Sequence, residues 1–330
     1  MSRASYSHNG ASRPSQPSSA PSATATGAGL KRALLKRLGS RQASASEVVS
    51  LVAELRLCGQ LRESRDHATA IVALGRVRLW QVALVELDEG PWRDLMTCSA
   101  AISACASAAC WQAALRLLRE MQHGGFELDV ITYSSAIRAL EKGQQWERAL
   151  IQLREMHNSH VEPSAITHSA VLNTCCRSQE WQCSIELLSE MKDRSITPAV
   201  IDYSTCVGAL PGHRWELALE LLNSSISCEL KPDVIMYNQV ISACERCGHW
   251  QSAIHVSQEM ARRGIGADVV TYSSMISACE KARQWQRALT LFETMDKSRL
   301  VPDIILFSAL VSACEKAQQW EWGLGLVEEM

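Results

Sequence analysis

The chain has 330 residues, 47% apolar and 21% charged, a balance that excludes a disordered polypeptide and leaves room for two ordinary domains or one elongated array. It contains no run of 18 apolar residues, so no membrane-spanning helix is expected. The formal net charge of −2 hides two unlike parts: Met1–Ser46 carries seven Lys and Arg with no Asp or Glu, which leaves −9 on residues 47–330.

Residues 1–46 are acid-free and rich in Ser, Ala and Arg, and Gly, Pro and Ser interrupt every apolar run. That composition fits an organellar transit peptide, for chloroplast or mitochondrion, better than a secretory signal; a disordered tail without an address is the competing reading. Residues 47–63 (EVVSLVAELRLCGQLRE) form an amphipathic stretch that reads as a capping helix or a decayed half-unit. Thirteen cysteines, an odd number behind no secretory signal, argue against a disulfide framework.

From residue 64 onward the chain repeats itself. Trp80, Trp111, Trp146, Trp181, Trp215, Trp250, Trp285 and Trp320 are separated by 31, 35, 35, 34, 35, 35 and 35 residues. A fixed period of this length is the mark of stacked supersecondary units. A degenerate unit covers 64–94, and full units cover 95–129, 130–164, 165–199, 200–233, 234–268 and 269–303. A truncated unit covers 304–330, stops at Met330 without its last turn, and hints at a fragment or a dimer.

In the unit VVTYSSMISACEKARQWQRALTLFETMDKSRLVPD, Tyr272, Met275, Ile276 and Cys279 fall on one helical face, and Trp285, Ala288, Leu289, Phe292 and Met295 on another. Pro302–Asp303 and Pro232–Asp233 place an aspartate where a helix begins, as an N-cap. Two amphipathic helices per 35 residues, with no period-two pattern, predict an all-α fold: an α-solenoid superhelix of about eight helix–turn–helix repeats. Cys105, Cys175, Cys244, Cys279 and Cys314 share one slot and read as small buried hydrophobes. Cys244 with Cys247 and Cys175 with Cys176 lack a second pair at zinc-finger spacing, so no metal is expected.

The tetratricopeptide pattern places its Trp early in the first helix, followed by Leu-Gly. Here Trp opens the second helix, and the Gly slot holds Ile137, Ile241 or Ile276. With its V-T-Y opening, its A-L-x-L-F-x-x-M second helix and its terminal Pro-Asp, the unit instead resembles the pentatricopeptide repeat, well over 95–330 and weakly over 64–94. The recurrent Trp departs from that family's common consensus; its place in the apolar stripe reads as core, with base stacking on it as the competing role. The resemblance implies sequence-specific binding of single-stranded RNA in organelle RNA processing, stabilisation or editing.

Slots two, five, nine and thirteen of each unit lie along one face of the first helix, and nucleic-acid-reading repeats use two or three side chains per unit. Slot two holds Met96, Ile131, Ile166, Ile201, Ile235, Val270 and Ile305. The resemblance implies that these wedge between successive bases; packing between repeats is the competing role. Slot five holds Ser99, Ser134, Ser169, Ser204, Asn238, Ser273 and Ser308, and the unit's last slot holds Asp129, Ser164, Ala199, Asp233, Asp268 and Asp303. In the family these two slots hydrogen-bond one base edge, a small hydroxyl with Asp reading guanine and Asn with Asp reading uracil. An ionised carboxylate only accepts, and guanine offers donors on that edge. Units 95–303 then spell 5′-GNNGUG. Simple helix capping is the plain alternative for these residues.

Slot thirteen carries Arg76, Lys142, Arg177, Arg246, Lys281 and Lys316, a candidate phosphate-contacting stripe, although Glu141, Glu245, Glu280 and Glu315 precede four of them. No Gly-rich phosphate loop, metalloprotease motif or nucleophile elbow occurs, so neither a catalytic residue nor a cofactor is expected. His157 and His160 read as members of a polar inter-helix turn with no ligand partners at suitable spacing. The partners expected are single-stranded RNA and other RNA-processing factors, with no membrane and no small-molecule substrate. A protein-binding scaffold that has lost its RNA ligand is the alternative function.

Overall fold

The computed structural model describes residues 34–38, 44–59, 61, 63–319, 322 and 325. The transit-peptide reading of residues 1–46 falls almost wholly outside them, and so does Trp320. Beyond a short helical segment at 34–38, the elements are α1 (Ala45–Leu57), α2 (Ser64–Arg76), α3 (Trp80–Glu89), α4 (Leu95–Ser107), α5 (Trp111–His123), α6 (Val130–Lys142), α7 (Trp146–Asn158) and α8 (Ala165–Arg177). They continue as α9 (Trp181–Asp193), α10 (Val200–Ala209), α11 (Trp215–Ser227), α12 (Val234–Arg246), α13 (Trp250–Arg262), α14 (Val269–Lys281), α15 (Trp285–Lys297) and α16 (Ile304–Lys316). Among the described residues there is no strand, and no helix is long and apolar enough to cross a membrane.

The two helices of a pair start in different ways. Six of the eight first helices are capped by a side chain, α2 and α10 being the exceptions: Asp94, Asp129, Ser164, Asp233, Asp268 and Asp303 each accept the backbone N–H three residues on, occupying one of the four orphan donors of a helix start. Second helices from α3 to α15 have no side-chain cap and open directly on a tryptophan. The turn before each is closed mainly by backbone. At the end of α4, Ala109 takes φ +61° and the Cys110 N–H reaches back to the Cys105 carbonyl, a Schellman closure that returns the chain sharply. Gln144, Gln179, Arg283 and Gln318 repeat this left-handed conformation without glycine, while Gly248 takes it at φ +70°.

One first helix is short. Pro211 supplies no N–H, and the residue before a proline is pushed to extended backbone, so α10 ends at Ala209 with Leu210 at φ −65°, ψ 136°.

First helices stack on the first helices of neighbouring pairs all along the array, and each also packs on its own second helix and on the preceding one. Second helices of adjacent pairs nowhere bring Cα atoms within 8 Å of one another among the described residues. Small side chains allow the tight inner layer: a Cβ on Gly75 of α2 would stand 2.7 Å from the Cα of Ala104 in α4. The gaps of the outer layer are filled by half-buried tryptophans roofed by side chains of the next pair. The Arg148 guanidinium lies 4.1 Å from the Trp111 ring centroid, Arg214 lies over Trp181, Arg287 over Trp250, and the His249 ring stacks at 4.3 Å from Trp215. Small residues inside and aromatic spacers outside curve the stack into a superhelix with the first helices on its inner side. The tryptophans, expected in the core, are instead half-buried in the seam between repeats, packed against the core from outside.

The core runs through the whole stack. Ile102, Ile137, Val171, Val207, Ile241 and Ile276 are fully buried on the first helices, as are the slot-sharing cysteines. Burial pushes the Cys105 and Cys175 thiols up to about 12 and those of Cys244 and Cys279 up to about 11. At neutral pH they are protonated, apolar fillers and neither thiolate ligands nor nucleophiles. Cys247 points elsewhere, its thiol donating to the Gly212 carbonyl at 2.7 Å.

Candidate functional site

The inner layer presents a row of unpartnered aliphatic side chains. Met96, Ile131, Ile166, Ile201, Ile235, Val270 and Ile305 are between 51 and 74% exposed. At these exposures more than half of each side chain is open to solvent, so packing between repeats accounts for the smaller part of its surface. One exposed aliphatic side chain is unremarkable; seven at the same register form a ladder.

Beside that row, the last slot of one unit approaches its own slot five because the cap that opens the next first helix lies next to the preceding one. Asn238 and Asp268, 30 residues apart, meet there: the Asn238 Nδ2 donates to Asp268 Oδ1 at 3.1 Å and to Oδ2 at 3.2 Å. The Thr271 hydroxyl sits 2.6 Å from Asn238 Oδ1 and 2.8 Å from Asp268 Oδ1, which fixes which face of the amide turns toward the carboxylate. Burial opposes ionisation of Asp268, but the Thr271 backbone and hydroxyl and the Asn238 amide more than offset it and hold the carboxyl below its ordinary value.

Capping does not exhaust these aspartates. In Asp129, Asp233 and Asp303 the cap uses Oδ1 alone, at 2.8–2.9 Å from the backbone N–H. Oδ2 is left to accept from something outside the helix. The two alternatives for these residues, cap and reader, therefore use different oxygens of one side chain.

Slot five varies more than the sequence indicates. Ser99, Ser134 and Ser308 turn their hydroxyls back to the carbonyl three residues earlier, at 2.8–3.1 Å. Ser169 is half-buried, Ser204 is only 8% exposed, and the buried Ser273 hydroxyl has no partner among the described residues. Ala199, which cannot cap, leaves α10 half-served: Asp202 accepts the Ala199 N–H at 2.8 Å, but no side chain returns the bond.

The slot-thirteen cations are not equivalent. Lys281 pairs with Glu245 of the preceding unit at 3.1 Å, and Lys316 with Glu280 at 2.8 Å. Lys142 reaches the Ser107 carbonyl at 3.5 Å, and Arg76 donates to the Leu38 carbonyl. Glu141 and Glu280 also accept from slot nine of the following unit, Asn173 at 2.6 Å and Ser312 at 2.7 Å. The glutamates thus tie successive first helices together. Arg177 and Arg246 are exposed and make no ion pair or hydrogen bond among the described residues.

One expectation is overturned. His157 does not lie in a turn without partners; it is on the last turn of α7, and ligand atoms of His157, His168 and Glu190 all lie within 4.8 Å of one another. His168 and Glu190 are 11 and 33 residues away and belong to the next unit, so no spacing rule for a local motif finds the group. The signal available was the histidine at 168, where four other units carry tyrosine and one phenylalanine.

Comparison with known proteins agrees with this architecture. Models described as PPR repeat family, pentatricopeptide repeat domain and PPR repeat match residues 232–281 and 267–316, 116–178, and 96–126 and 166–196 respectively, together more than half of the chain. No curated protein matches. Among solved structures, the pentatricopeptide repeat protein PPR10 from maize superposes with a TM-score of 0.60 at 19% identity, over 90% of this chain and 48% of that one. PPR10 in complex with an 18-nucleotide psaJ RNA element gives 0.46 at 18%, over 86% and 47%. The PPR domain of Arabidopsis thaliana protein-only RNase P 1 in complex with tRNA gives 0.43 at 13%, over 48% and 84%. The chain spans about half the length of PPR10. With the repeat written through its sequence, its helices paired and stacked as a solenoid, and family models matching over more than half its length, the chain belongs to the pentatricopeptide repeat family.

Proposed function

We propose that the inner face binds single-stranded RNA in a sequence-specific manner, one nucleotide per unit, as a binding module and not as an enzyme. The observation that carries this is the Asn238–Asp268 pair. Amide and carboxylate sit within 3.2 Å, beside a ladder of exposed aliphatic side chains suited to lie between bases. Membership of the pentatricopeptide repeat family supports the same reading.

In this reading Met96, Ile131, Ile166, Ile201, Ile235, Val270 and Ile305 separate successive bases. Slot five and the last slot of each unit address base edges in the order 5′-GNNGUG. Burial of these aliphatic side chains against base faces, at about 25 cal/mol per Å² of apolar surface, supplies most of the affinity. The acidic array contributes little general attraction. With Lys281 and Lys316 neutralised, at most four slot-thirteen cations are open to phosphates. Log affinity should then fall with log salt at a slope no steeper than about −3.

The cellular role that fits is protection or remodelling of an organellar transcript, or its presentation to other processing factors, with the segment 1–46 as the transit peptide. An unbiased RNA selection with the full chain tests the whole reading. Enrichment of G-rich sites containing a GUG core is expected. Asn238→Ser should shift one nucleotide from uracil toward guanine, with the fold kept and stability lowered by about 0.5–1.5 kcal/mol for the lost bonds to Asp268. Selection of no motif by either protein would favour the scaffold alternative, for which the acidic balance and the ion-paired lysines speak.

A further inference from the structure

We propose that His157, His168 and Glu190 form a site for a divalent transition-metal ion at the junction of the second and third full units. The units surrounding it show what normally fills this place. At the slot of His168, Tyr133 and Tyr203 send their hydroxyls to the end of a second helix: Tyr133 to Ser159 at 3.2 Å and Gln122 at 3.3 Å, and Tyr203 to Cys228 at 3.6 Å. His157 occupies in its unit the position that Gln122 holds in the one before. Two polar, mutually satisfying residues have been replaced by two imidazoles.

Those imidazoles do not satisfy each other. Their ring centroids are 6.0 Å apart, inclined at 59°, and the Nε2 atoms of both are buried with no hydrogen-bond partner. His168 is fully buried. Its Nδ1 lies 3.2 Å from the Ser164 carbonyl, so that nitrogen carries the proton and Nε2 bears the lone pair turned into the cluster. This arrangement, one ring nitrogen donating to a backbone carbonyl and the other free, is the way metal-bound histidines are oriented. Glu190 lies with one carboxylate oxygen 4.0 Å from His157 Nε2, and that same oxygen accepts from Arg194 Nε at 3.0 Å. Two imidazoles and a carboxylate suit zinc, cobalt or nickel, with further positions left to water. Binding would satisfy two orphan nitrogens at once. It would also link α7, α8 and α9 across two units, where the preceding junction has the Gln122–Tyr133 hydrogen bond and the following one has Lys192 over the Tyr203 ring.

The test is a titration of the full chain with Co²⁺, and separately with Zn²⁺, followed by the cobalt ligand-field spectrum and by thermal unfolding. It needs no RNA, so its outcome is independent of the base-reading proposal. One equivalent of Co²⁺ is expected, with a nitrogen- and oxygen-type spectrum lacking the sulfur-to-metal charge-transfer band, and a raised melting temperature with either metal. His168→Tyr and His157→Gln restore residues that this chain itself uses at those slots, so both variants should fold, with far-UV circular dichroism as the check. Each should weaken binding at least tenfold and remove the thermal shift. No bound cobalt, a thiolate-type spectrum, or unchanged affinity in both folded variants would each overturn the proposal.

Discussion

The unit at 234–268 and the unit at 165–199 have the same two helices, the same packed slots and opposite chemistry at their edges. In the first, Asn238 and Asp268 are bonded to each other, and Asp268 also opens α14. In the second, slot five is Ser169 and the last slot is Ala199, which neither caps a helix nor bonds to anything through its side chain, and the slot of Tyr237 is occupied by His168. Buried aliphatic slots therefore specify the solenoid, whereas the slots that face the groove are free to differ from unit to unit. That freedom is what a surface with a distinct preference at each step requires.

The comparison breaks most severely where the two units agree. Leu172 and Ile241 sit at the same buried slot, and truncating either to alanine should cost about 2–5 kcal/mol. Urea unfolding followed by circular dichroism would show it, and equal effects would confirm that both units use this slot alike. Next is Asp268→Ala, which removes the cap of α14 and the partner of Asn238. A loss of about 0.5–2 kcal/mol is expected, together with loss of uracil preference at one position in an RNA selection.

The reverse change should sharpen the tolerant unit. Ala199→Ser completes the reciprocal bonding that Asp202 already begins, so unfolding should shift upward by about 0.5–1 kcal/mol. A base preference should appear where none existed.

The pH response should follow the same division. The Asp268 carboxyl is held below its ordinary value in the fold, so its contribution is present above the unfolded carboxyl's titration and is lost as pH falls through the lower folded one. Wild type should therefore lose stability in that acidic window more steeply than Asp268→Asn, which unfolding midpoints measured down the acid limb would reveal. The smallest effect concerns the cations. Arg246→Gln should reduce the salt slope of RNA binding by about 0.7, whereas Lys281→Gln should leave it nearly unchanged, because Glu245 already neutralises Lys281.

Much of the fold could be read from particular letters. Tryptophans at intervals of 31 to 35 marked the second helices, and seven of them do open one. Tyr272, Met275, Ile276 and Cys279 fell on a single face because an α-helix turns every 3.6 residues, a property local to the chain. The ladder could be identified by its register, which left wedge and packing roles open; how far each side chain stands clear of its neighbours was decided by the stack.

Only the tertiary structure decided which atoms meet. Asn238 and Asp268 lie 30 residues apart, Lys281 and Glu245 36, and His157 and Glu190 33. Contacts at about one repeat length depend on how closely one pair of helices stacks on the next, and that follows from small side chains on the inner layer and roofed tryptophans on the outer. Periodicity alone established that there are repeated helices with an apolar side. The spacing and curvature of the stack determined that a carboxylate would stand beside an amide, that a lysine would be neutralised, and that two histidines would be brought together with their lone pairs unmet.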